Sequence, residues 1–419
     1  MSVTTFDTTR LSEFLVRSSQ EFTLRVHGRV ALVSVIAGVR ATTVNVPMVA
    51  PYRFSFGSLA SFTTTLIEVT DSDGLVGIGE SPHGDLSALV EEMGRRLNGL
   101  SLEATNEAEA RCVPRSGFSL WVDGAAERRA FGGIEIALYD LRAQRAGVSL
   151  AEFLGGRLRD EVEFTEYFAL REGMESTPDD VVRYCVQMAE RFGSTVFEGK
   201  LGVLDVPTEI SMVARLVAEL GPGRVQRLDA NGAYSVATAR QVCHQLADLG
   251  VSWLEDPCRT LDETARLRAD GVPISFSTHE PSLVRAARTG VPDGLCLDIA
   301  ELGGIRRTQD FLRSCAALGI DFWCYSGDAG VMTAAYLHLT ATEPSMIRPH
   351  QSLFRFTADV AIEQGHYSPI GGILPVPTAA GLGVSLDPVA VKRMHEAFLR
   401  HGAMAAGGGA SYRSEYRQQ

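Results

Sequence analysis

The strongest constraint in this chain is a repeat of short apolar runs across its second half, most of them ending on a polar residue and alternating with amphipathic segments. The runs are Val162–Leu170, Ser194–Gly202, Val225–Asn231, Val251–Glu255, Ile274–His279, Gly294–Asp298, Asp321–Ser326 and Ser345–His350. Parallel strands buried on both faces read as such runs, and the helical segments between them supply the crossovers. Eight in succession predict a (β/α)-type barrel rather than an open doubly wound sheet. No Gly-x-Gly-x-x-Gly follows any of them, which argues against dinucleotide binding.

The polar endings carry the functional content. Lys200, Asp229, Glu255, His279, Asp298, Tyr325 and His350 follow one another at intervals of 29, 26, 24, 19, 27 and 25 residues, close to one barrel unit each time. The C-terminal strand ends of such barrels converge on one mouth, where their active sites lie. Asp229 and Glu255 are oxygen donors on adjacent strands, suited to a hard cation such as Mg²⁺. At the next strand end Thr278, His279 and Glu280 compete for the third ligand position. An imidazole there would tilt the site toward Mn²⁺ or another divalent metal. Lys200, one strand earlier, is a candidate general base, since a nearby cation would lower its pKa; the alternative is a counter-ion to Asp229 or Glu198. The metal would bind a substrate carboxylate and stabilise the enediolate left when Lys200 takes the α-proton.

Ahead of the barrel, Glu21–Glu80 is strand-like, with β-branched runs and a turn at Asp71–Gly74. Helical periodicity follows at Leu86–Leu97 and Ala125–Arg145, so this section reads as an α+β domain. Gly402–Gly409 and the tail beyond read as mobile. With 51 acidic against 39 basic residues the net charge is −12, which argues against nucleic acid or an anionic membrane as partner. The longest apolar run, Val30–Val39, is broken by Ser34 and falls far short of the ~20 residues that span a bilayer. Seven scattered cysteines with no Cys-x-x-Cys pair fit reduced thiols, and the absence of a leader pattern fits a cytoplasmic protein.

The chain resembles the enolase superfamily, in the branch of mandelate racemase and muconate lactonizing enzyme. The matching segments include Gly77-Ile-Gly-Glu80, Gly133–Leu141, Leu154-Gly-Gly156, Phe197-Glu-Gly-Lys200, Leu228–Ser235, Trp253–Cys258, Gly303-Gly304 and Gly381–Asp387. Within that branch, Arg159–Glu163, Asp229–Ala233 and Cys258 are most similar to glucarate dehydratase and its relatives. The resemblance implies a modified (β/α)7β TIM-type barrel (131–374) under an α+β capping domain (1–130, with a C-terminal return at 375–419). It implies Asp229, Glu255 and His279 as metal ligands, with His279 ranked above Glu280 because it falls where sugar-acid dehydratases carry an asparagine. Lys200 matches the second lysine of the family's Lys-x-Lys motif. Asn231, Tyr167 and His350 match positions lining the site, and a homo-oligomer is implied.

Several positions depart from the pattern. Glu198 stands where the first lysine of that motif belongs, which makes it a candidate substrate contact. Asp298 matches the sixth-strand aspartate, but the seventh strand, Trp323-Cys-Tyr-Ser-Gly-Asp328, lacks its histidine partner; Tyr325 or Ser326 takes the place, with Tyr325 a candidate proton donor. The cap loop Met48–Phe54 lacks the expected histidine, and Gly402–Ala406 lacks the arginine for a distal carboxylate, leaving Arg53 as a substitute. His83, His244, His338, His395 and His401 have no metal-ligand spacing and read as surface or packing residues. The leading expectation is a lyase dehydrating a hydroxy acid, with a sugar acid as substrate. The alternatives are an isomerase or cycloisomerase on a carboxylate, and a non-catalytic acid-binding relative.

Overall fold

Side-chain caps start most of the barrel helices. Thr177, Asp205, Ser235, Thr260 and Ser282 each accept a hydrogen bond from the backbone amide three residues on, opening helices that follow successive strands. The computed structural model describes residues 23–26, 29–32, 34–114, 124–325 and 327–404; Ser326 and the tail from 405 lie outside them.

Strands β1 (Thr23–Val26) and β2 (Arg29–Leu32) form a hairpin, and β3 (Ile36–Phe54), β4 (Gly57–Asp71) and β5 (Val76–Pro82) an antiparallel sheet. The helix Ala125–Ala146 packs on β5. A Cβ at Gly77 or Gly79 would run into the carbonyl of Ala137 or Gly133, so this glycine pattern sets how closely strand and helix approach. The 130/131 division falls inside that helix. The chain's C-terminal helix Pro388–His401 returns to β3, and Met404 N donates to Thr63 Oγ1 at 2.6 Å, so Gly402–Met404 dock on the cap sheet rather than move freely.

After β6 (Glu161–Glu163) come seven parallel strands: β7 (Glu166–Phe168), β8 (Phe197–Lys200), β9 (Val225–Asp229), β10 (Trp253–Glu255), β11 (Ser275–Thr278), β12 (Gly294–Cys296) and β13 (Asp321–Trp323). They pair in chain order, as the expected α/β barrel requires. Two of the expected runs are corrected in detail. Val162–Leu170 divides: Glu161–Glu163 alternates exposed and buried residues and pairs antiparallel with β14 (Ile373–Pro375), while Glu166–Phe168, buried throughout, alone joins the barrel. Ser345–His350 contracts to one bridge, Phe164 to His350. Pro349 has no amide to donate; His350 N bonds Glu163 O, Thr165 N bonds His350 O, and Cys324 N donates to His350 Nδ1, all at 2.8 Å. Among the described residues no helix is long and apolar enough to cross a membrane.

Candidate active site

The register of the parallel strands sets Lys200 beside Asp229 and Asp229 beside Glu255. Lys200 Nζ makes a short ion pair with Asp229 Oδ2. Burial lowers the Lys200 ammonium, but Asp229 together with Tyr167, Tyr52 and Glu255 outweighs it and holds the group well above its ordinary value. The structure therefore shows the counter-ion arrangement at Lys200. Asp229 also accepts from Asn231 N at 2.7 Å (Oδ1) and from Asn231 Nδ2 at 2.9 Å (Oδ2). Asn231 holds a left-handed φ of 45°, a conformation asparagine tolerates better than most side chains. Its buried Oδ1 has no hydrogen-bond partner.

Glu255 shows the same want of partners. Its Oε1 lies 2.9 Å from His279 Nε2 as an ion pair, with no further partner. His279 Nδ1 donates to the Cys296 carbonyl at 2.6 Å; a carbonyl only accepts, so in the neutral ring Nε2 is the free lone pair. Glu255, His279 and the Cys296 thiol bring one ligand atom each to within 4.8 Å of one another. Burial raises Glu255 to about 7. For His279 burial acts downward and Glu255 upward, with the net result raised to about 10. Glu280 is turned to Arg285, which donates to both its carboxylate oxygens at 2.8 and 2.9 Å, leaving His279 as the group aimed inward at this strand end. Cys296 had no role in the sequence reading, because an isolated cysteine within an apolar run looks like core.

At the far end of the arc, Tyr325 donates to Asp298 Oδ2 at 2.9 Å and its ring stands edge-on to His279. Asp298 Oδ1 accepts from Glu301 N. Here one reading is overturned. His83, expected as a surface or packing residue, projects from the turn after β5 with φ 69°, and its Nε2 lies 3.0 Å from Asp298 Oδ2 and in short contact with the Tyr325 hydroxyl. A usable indication was its place three residues past Glu80, whose carboxylate accepts from the amides of Ala329, Val331 and Met332 just beyond the seventh strand.

Two expected substrate contacts are also corrected. His350 is 0% exposed, with Nδ1 taken by Cys324 N and Nε2 by Thr340, because it closes the barrel wall; burial lowers it to about 3. Glu198 is 1% exposed and lies below the mouth, bonded to Arg227, Thr165 and Gln351. Tyr167 is buried against Tyr52 and Phe356, and both tyrosines sit close enough to feel the Lys200 charge. Tyr52, in the cap loop, was missed because it reads as ordinary strand packing. Arg53 beside it is half-buried, with its amide on Leu170 O. His338 and His395 bond backbone carbonyls as packing residues do.

Fold and site together define a capped α/β barrel whose successive strand ends carry Lys200, Asp229, Glu255, His279 and Asp298. Residues 36–155 match the mandelate racemase / muconate lactonizing enzyme N-terminal domain, and residues 180–390 the enolase C-terminal domain-like family. The chain belongs to the enolase superfamily, in the mandelate racemase/muconate lactonizing enzyme branch. A probable glucarate dehydratase of Streptomyces coelicolor is 31% identical over 80% of this chain and 85% of its own length. Muconate cycloisomerase 1 of Pseudomonas putida is 26% identical over 80% and 92%. The crystal structure of an enolase from Thermobispora bispora, complexed with magnesium and formate, superposes with a TM-score of 0.79 at 26% identity, covering 88% of this chain and 95% of that one.

Proposed function

We propose that this enzyme is a metal-dependent lyase that removes water from a hydroxy acid, with a sugar acid as the substrate class. The observation that carries the reading is one arc of strand ends with a lysine at one side, an Asp–Tyr acid group at the other, and partner-poor ligand atoms between. A divalent cation fits those atoms: Glu255 Oε1 and His279 Nε2 converge to 2.9 Å as an ion pair that a cation between them would replace, beside Asp229. Asp229, Glu255 and His279 would hold it. Oxygen ligands suit Mg²⁺, while the imidazole and nearby Cys296 leave room for Mn²⁺ or another divalent metal. When bound, the cation supplies Lewis-acid stabilisation for the charge that develops on the substrate carboxylate.

The chain's own residues do the rest. With Asp229 turned to a cation, Lys200 would lose its counter-ion and, in its neutral form, take the α-proton. Asn231 orients Asp229 and presents its free carbonyl to the same space. Tyr325, held by Asp298, gives a proton to the departing hydroxide. Arg53 is the group we assign to the substrate's far end, and Tyr167, beside Lys200, to the wall of the site. The 31% identity to a probable glucarate dehydratase supports this reading.

The test is NMR in D₂O with Mg²⁺ or Mn²⁺ and a panel of sugar acids. Dehydration of one member, abolished by Lys200→Ala and by EDTA, is the expected result. Exchange or ring closure without loss of water would favour the cycloisomerase reading, which the muconate cycloisomerase relatives support. Metal binding with no exchange on any acid would make the protein an acid-binding relative.

A further inference from the structure

We propose that His83, carried by the capping domain, is the proton-supplying partner of Tyr325 and fills from outside the barrel the role left by the absent seventh-strand histidine. The inference rests on the lyase reading above and deepens it.

Three observations converge. His83 Nε2, Tyr325 Oη and Asp298 Oδ2 form one triangle, each within hydrogen-bonding reach of the other two. Asp298 is buried and Tyr325 half-buried, whereas the His83 side chain is 44% exposed, so this ring links the Asp298–Tyr325 pair to water. The contact is also built in. Ser81 Oγ donates to Arg129 O at 2.9 Å, and Glu80 ties β5 to the amides of the segment after Tyr325, so His83 and Tyr325 are placed by one anchor.

Chemistry explains why the imidazole is required. Were Tyr325 to give up its proton alone, a half-buried phenolate would be left against the Asp298 carboxylate, two negative charges in contact. A proton passed from His83 Nε2 to Tyr325 Oη as the phenolic proton departs avoids that state. In the full step Lys200 takes the α-proton. The C–H electron pair becomes the new carbon–carbon double bond, the β C–O bond breaks with its pair, and the leaving oxygen departs as water with the Tyr325 proton. His83 ends neutral and is reprotonated from solvent. Tyr325 touches the leaving group; His83 acts through it and is a positioning residue.

The decisive variant is His83→Asn, because asparagine tolerates the left-handed backbone at this position. With the acid identified by the panel, His83→Asn should keep Lys200-dependent α-proton exchange in D₂O while dehydration falls by about 100-fold or more. Tyr325→Phe should do the same, and the double variant should be no worse than the poorer single one, as expected of residues acting as a unit. The ring-nitrogen resonances that vanish in His83→Asn should also move in Asp298→Asn and Tyr325→Phe. Dehydration at the wild-type rate in His83→Asn overturns the proposal, as does equal loss of exchange and dehydration, or resonances indifferent to Asp298 and Tyr325. A wild-type protein that neither exchanges nor dehydrates any acid overturns the lyase reading itself, and this proposal with it.

Discussion

Replacing Glu198 by leucine should destabilise the barrel by about 3–5 kcal/mol, the cost of leaving a buried charge without its partner. Glu198 Oε2 accepts from Arg227 Nε at 3.0 Å and Nη2 at 2.6 Å and from Thr165 Oγ1 at 2.9 Å; Oε1 accepts from Gln351 Nε2 at 3.0 Å. The Arg227 side chain is 5% exposed and its guanidinium lies over the Trp323 ring at 4.4 Å, so it would be left largely buried without its counter-charge. Thr165 keeps a second acceptor in His350 O, whereas Gln351 loses its partner, a loss of about 1–3 kcal/mol by itself. Arg227→Met should cost a similar 3–5 kcal/mol by stranding Glu198. The double variant removes both charges and should retain only the Gln351 cost, so it should be at least about 3 kcal/mol better than the sum of the singles. Urea unfolding followed by tryptophan fluorescence, to which Trp323 contributes directly, measures all three. A Glu198→Leu cost below about 1 kcal/mol, or a double variant as poor as the summed singles, refutes the reasoning.

Other consequences can be tested the same way. Gly79→Ala places a Cβ against the Gly133 carbonyl, a backbone atom that cannot rotate aside, and should cost about 1–3 kcal/mol or more in thermal unfolding. Glu255→Gln should weaken Mn²⁺ binding by at least about 10-fold in calorimetric titration, since metal ligands and their partners carry effects of that order. His350 is held down at about 3 in the folded chain, so below pH 6.5 the unfolded chain takes a proton that the folded one refuses, and stability falls with pH. Compared with wild type, His350→Gln should therefore lack a slope of about 1.4 kcal/mol per pH unit between pH 6 and 5, measured as the difference between two urea series.

The barrel was legible because its strands are buried on both faces, which leaves apolar runs, and because each βα unit has a nearly fixed length. The close packing of the cap sheet on the helix Ala125–Ala146 was legible in part, through the glycines of Gly77-Ile-Gly79. Depth was not. Glu198 and Lys200 share one face of β8, as residues two apart must, yet one lies a layer below the other. Sequence spacing gives the face and says nothing of the layer. His350 fits the spacing of the site residues equally well, and only its two occupied nitrogens reveal a wall residue. His83 was missed for another reason. Its partners lie 215 and 242 residues away, and a histidine whose position depends on how two domains meet leaves no periodic trace in either.

The seam at His350 has a consequence for the chain during synthesis. Until residue 350 has left the ribosome, β7 and β13 each present a bare hydrogen-bonding edge, and the nascent sheet stays open through seven of its strands. A fragment ending shortly before Ser345 would expose both edges permanently and should associate edge to edge, whereas one extended past Gln351 has the means to clasp them. The single bridge that looks like the weakest pairing in the wall is thus the event that converts a sticky ribbon into a closed cylinder.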